Sequence, residues 1–133
     1  MTSKRIVLIT LCCALFVMAG CSGVAVRTIP YPEVQRFPPT MPDLVGVMTQ
    51  EPMRSHDQLG EVVVEPEGHP SIDKIYAALQ EGAAPLGADA VVIVSDKSGQ
   101  IGGIIQPSGR WLKRELTPTP HEAVVGVAIR YLK

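Results

Sequence analysis

Residues 71–94, SIDKIYAALQEGAAPLGADAVVIV, decide the fold, because they hold a helix, its stop signal and a buried strand in one run. Ile72, Ile75, Tyr76, Leu79, Ala83 and Leu86 recur at three- and four-residue spacing, which places them on one face of a helix spanning 71–86. Ser71 can cap the free N–H groups of the first turn, and Asp73 suits the positive end of the helix dipole. Gly82 weakens the helix interior slightly. Pro85 cannot donate a hydrogen bond and crowds the carbonyl of Glu81. The helix is therefore predicted to end by Ala84 or distort there, with Gly87 in the turn that follows. Ala90 to Ser95 (AVVIVS) carries no charge and reads as a strand covered on both faces.

Working outward, Gln58 to Glu65 (QLGEVVVE) is a strand with Leu59, Val62 and Val64 apolar and Glu61 and Glu65 polar. Leu44 to Thr49 (LVGVMT) is a shorter β-rich run, joined to it by the polar segment 50–57. After the Asp96-Lys97-Ser98-Gly99 turn, residues 101–106, 107–109 and 110–116 read as strand, turn and strand of a hairpin. Ala123 to Leu132 closes the chain as a long strand, with Val125, Val127, Ile129 and Tyr131 on one face. The expected fold is α+β, a mixed sheet of about five strands with one main helix packed across it, over residues 44–133.

The N-terminal part is of another kind. Lys4 and Arg5 precede an apolar run, Ile6 to Phe16, and then Val17-Met18-Ala19-Gly20-Cys21. Roughly fifteen apolar residues make a helix of about 22 Å, shorter than the roughly 30 Å hydrocarbon slab. A cleavable signal fits better than a spanning helix. Met18-Ala19-Gly20-Cys21 resembles the lipobox of bacterial lipoprotein precursors, with methionine at the usual leucine position. The resemblance implies signal peptide 1–20, cleavage between Gly20 and Cys21, and acylation of Cys21. Ser22 in place of aspartate implies export to the outer membrane, with the domain facing the periplasm, if the host is Gram-negative. Residues 21–43 read as a tether, because Pro30, Pro32, Pro38, Pro39 and Pro42 leave no room for helix or ladder. In extended geometry, about twenty residues reach about 60 Å. The alternative is an ordered arm in which Tyr31, Val34 and Phe37 pack back on the domain.

Composition narrows the chemistry. Cys12 and Cys13 leave with the signal and Cys21 carries lipid, so no thiol remains for a disulfide, a redox pair or a thiolate metal site. Loss of Lys4 and Arg5 leaves 10 basic against 13 acidic residues, a net charge near −3, with no basic footprint for nucleic acid. Aromatic residues are 5% of the chain, so the core is expected to be aliphatic.

Three segments in order, LGEVVV (59–64), LQEGAAPLGADAVVIV (79–94) and VVGVAIRYL (124–132), are similar to the YbjQ/RcsF-like superfamily of small bacterial α/β domains. Gly87-Ala88-Asp89-Ala90-Val91 fits the family's G-A-[DN]-A-V pattern. In it, glycine takes the helix-ending turn, small alanines allow close approach, and Asp89 can accept from nearby backbone N–H groups. The resemblance implies the fold. A disulfide-held, stress-sensing member also has a lipobox and a proline-rich tether. Its disulfides have no counterpart here, nor does the thiol chemistry of relatives described as heavy-metal-binding.

The remaining chemistry is sparse. His56, His69 and His121 could converge with Asp57 or Glu122 as a nitrogen–oxygen metal site, but their spacing matches no compact ligand motif. Ser55-His56-Asp57 holds hydrolase residue types, yet neighbours on an extended chain point apart. Gly99, Gly102 and Gly103 lack the strand–loop–helix setting of a phosphate loop. No catalytic residue, metal ligand or cofactor is assigned, and no small-molecule substrate is identified. The expected role is a non-catalytic protein-binding or sensing lipoprotein of the cell envelope, held to the membrane by its lipid and meeting an envelope protein. Arg110, Trp111, Lys113 and Arg114 form the candidate contact surface, since Trp and Arg are frequent interface anchors. Packing of Trp111 on its own sheet is the alternative. A small-ligand or metal-binding lipoprotein is the second reading.

Overall fold

The computed structural model describes residues 23–101, 115–119 and 122–133. Five strands form one mixed sheet in the order β1-β3-β5-β4-β2: β1 Val24–Pro30, β2 Gly46–Met48, β3 His56–Pro66, β4 Ala90–Asp96 and β5 Val124–Tyr131. The three central strands pair antiparallel to their neighbours on either side, except that β2 joins β4 in parallel. One helix, α1 (Ile72–Ala83), crosses one face. The α+β architecture read from the sequence is the one found.

The stop signals act as their chemistry requires. The Ser71 hydroxyl accepts from Lys74 N, and Asp73 occupies the first turn. α1 ends at Ala83, and Pro85 lies in a short 3-10 turn over Ala84–Leu86 that Gly87 closes in the left-handed region, at φ 77°. Asp89 accepts Tyr131 N through Oδ2 at 2.9 Å, as the G-A-D pattern implies.

Two clusters build the core. Leu59, Val62, Val64, Val91, Ile93, Val124 and Ala128 meet Ile75, Ala78, Leu79 and Ala83 of α1. Val63, Ala90, Val92, Val94, Val125, Val127 and Ile129 form the second, on the opposite face, with Leu116 and Tyr131 against it. The helix face differs from expectation in one detail. Ile72 is 43% exposed, whereas Ala78 and Gly82 are buried, because the helix approaches the sheet near its C-terminal half. A Cβ on Gly82 would stand 2.4 Å from Val62 Cγ1 and 2.9 Å from Val26 Cγ1. Gly82 is thus a packing residue rather than a weak point.

The larger correction concerns the tether. Residues 24–30, read as part of a proline-rich spacer, pair with β3 over their whole length, from Val24 opposite Pro66 to Pro30 opposite Gly60. The prolines tolerate this, since Pro30 ends the strand at the sheet edge, where a missing N–H costs least. Beyond it Tyr31 is buried, and Val34 and Phe37 pack on the helix-side core. The ordered-arm alternative is the observed state, and the folded unit includes residues well before 44. The expected hairpin over 101–116 falls mostly outside the described residues.

Candidate functional site

β3 is longer than β1, and the difference makes a cleft. β1 ends opposite Gly60, whereas β3 begins at His56, so the first residues of β3 run past the end of β1. The chain leaves β1 through Tyr31, whose N–H donates to Leu59 O at 2.9 Å, and turns across the gap. A cleft of about 640 Å³ results, lined by Tyr31 and residues 33–35, by residues 51–58, and by Leu132. Met53 stands fully exposed at its rim and Leu132 is half exposed.

Its polar lining is uneven in charge. Glu33, Glu51 and Asp57 contribute carboxylates, and Arg54 the one cation among the described lining residues. Arg54 lies against β5, its guanidinium 4.8 Å from the Tyr131 ring centre and within reach of Leu132 O at 3.5 Å. His56 Nδ1 sits 2.8 Å from Arg54 O, so that contact requires the proton on Nδ1. Such a surface offers acceptors, a cation–π pair and apolar contacts.

Bonded to Tyr31 of its lining is a residue whose burial the sequence does not announce. Glu61, read as a polar position of its strand, is 1% exposed. β3 is central, and on this face the segment 115–119 packs over it through Leu116. Glu61 Oε2 accepts Thr117 N at 3.2 Å, and Oε1 accepts from the Tyr31 hydroxyl at 3.4 Å. One carboxylate therefore joins the arm after β1 to the segment before β5. Glu61→Ala is expected to lower stability by about 1–3 kcal/mol, the cost of leaving buried partners unpaired. Glu61→Gln, which keeps an acceptor for Thr117 N, should recover much of that in urea unfolding. Faster amide exchange at Thr117 should accompany the alanine variant alone.

Gly20, Cys21, Arg110, Trp111, Lys113 and Arg114 lie outside the described residues, as does His121. His56 opens β3 whereas His69 follows its far end, and ten strand steps of about 3.3 Å separate the two ends of β3. The two histidines therefore do not converge, so no single site holds all three imidazoles. Among the described residues, no group of three His, Cys, Asp or Glu is placed to hold a metal. Tyr31 and Glu61 were missed as a pair because nothing local in the sequence links positions 30 residues apart.

No protein-family model matches the chain, and no curated protein matches it. Among solved structures, a crystal structure of the Francisella virulence factor FvfA is similar at 19% identity, covering 80% of this chain and 97% of that one, with a TM-score of 0.41.

Proposed function

We propose that this chain is a membrane-anchored envelope lipoprotein whose small α+β domain serves as a non-catalytic protein-binding or sensing module. The observation that carries the reading is the apolar run closed by Met18-Ala19-Gly20-Cys21 directly ahead of the folded domain. Acyl chains on Cys21 contribute about 0.8 kcal/mol per buried methylene, so two or three of them hold a protein durably in a bilayer. Cleft shape and rim chemistry support recognition of another polypeptide: exposed Met53 and Leu132 provide apolar contact beside carboxylates and Arg54.

Cys21→Ala in the native host is the direct test. Wild-type protein should stay in the membrane fraction through a high-salt wash, and the alanine variant should be released or accumulate as uncleaved precursor. A variant processed to the same size and retained as firmly as wild type would refute the lipid reading. Crosslinking in intact cells then tests the second half, with recovery of a specific envelope protein expected. The cleft volume also lies within the range of small-ligand sites. A bound small molecule in native mass spectra of the purified protein would favour that second reading.

A further inference from the structure

We propose that the anchored domain is held directly against the bilayer by the end of the sheet where β1 begins, with the 640 Å³ cleft at the end turned away from it. The inference rests on acylation of Cys21 and adds an orientation to it. Only three residue steps separate Cys21 from Val24, the first residue of β1. A fully extended chain covers at most about 3.6 Å per residue, so Val24 lies no more than about 11 Å from the lipidated residue. A free tether of the length read from the prolines would have allowed about 60 Å.

The hydrogen-bonded ladder leaves little freedom at that end. Val24 pairs with Pro66, and Glu67 N donates to Gly23 O at 2.9 Å, so the strand is secured from its first residue. The β3 end and the 67–71 connection into α1 therefore travel with the anchor. The cleft is defined by the opposite end of the same strand, because His56 and Asp57 open β3 while Glu67 directly follows its last residue. At about 3.3 Å per residue, the span of β3 places Asp57 roughly 30 Å farther along the sheet than Pro66. The bilayer is the partner of the near end because the protein's own lipid brings it there. The cleft is left to a partner approaching from the aqueous side.

Depth measurement on the lipidated full chain tests this. Glu67→Cys and Asp57→Cys, both at exposed positions, would each carry a fluorophore after reconstitution in phosphatidylcholine vesicles containing nitroxide-headgroup lipid. Quenching at position 67 is expected to exceed that at 57 severalfold. Inserting twenty Gly/Ser residues between Ser22 and Gly23 should abolish that difference while the protein stays bound. Equal quenching at the two sites, stronger quenching at 57, or no effect of the insertion overturns the orientation. Protein that does not remain with the vesicles overturns the lipid reading and the orientation with it.

Discussion

Gly87→Ala is expected to destabilise the domain by about 3 kcal/mol or more, read as a shift in the midpoint of urea unfolding. Two costs combine there. At φ 77° a side chain is strained whatever the space around it, by about 1–3 kcal/mol. The added Cβ would also stand 2.6 Å from Phe37 Cβ and 2.7 Å from Pro38 O, and the second of these is backbone. Overfilling of this kind costs about 1–3 kcal/mol more. The neighbours cannot yield easily, because they pack on a heavily bonded turn. Thr40 Oγ1 donates to Ala88 O at 2.9 Å, Gly46 N to Asp89 O at 3.0 Å, and Asp89 N to Ile129 O at 2.8 Å. Arg130 donates to Gly87 O at 2.9 Å while its guanidinium stacks 4.4 Å from the Phe37 ring centre. Gly68 provides the internal control. It has φ 71° but open space where its Cβ would point, so Gly68→Ala should show the backbone cost alone. Equal shifts for the two variants would mean that the 37–40 arm does not clamp the turn.

That turn also shows what could be read from residue order. The Ser71 cap, the Pro85 stop and the Gly87 turn are local, so spacing and stereochemistry sufficed to place them. The two-sided burial of Ala90–Val94 was legible from an uncharged run. Burial of Glu61 was not, because a glutamate between Gly60 and Val62 looks solvent-facing until a distant segment covers that face. The cleft was equally hidden. It depends on β1 being shorter than β3, and β1 itself was obscured by the prolines that follow it. Proline density describes where regular structure must stop, and here the strand fits ahead of the first stop. Val24, Val26, Thr28 and Ile29 are β-branched and favour a strand by themselves, and β3 supplies the partner.

Replacing Val24–Pro30 with seven Gly/Ser residues is expected to cost on the order of 5 kcal/mol, enough to remove most of the stability of a small domain, typically about 5–15 kcal/mol. Chain length is unchanged in this variant, so a segment that merely spaced the domain from an anchor would tolerate it. As a strand it would not. Val24 and Ile29 pack against opposite faces of the core, each contributing about 1 kcal/mol for partial burial. The Thr28 hydroxyl donates to Gly82 O at 2.8 Å, tying β1 to α1 where helix and sheet approach most closely, for about another 1 kcal/mol. The rest comes from strand preference, since glycine and serine lose more backbone freedom on pairing than the β-branched residues they replace. Thermal unfolding followed by circular dichroism should show the loss, and hydrogen exchange should locate it. Amides of β3 that face β1 should lose protection before those that face β5, because β5 is paired on both sides and β1 forms the sheet edge. An unchanged melting temperature would return residues 24–30 to the role of a spacer, and with it the cleft, whose wall begins at Tyr31, would lose its support.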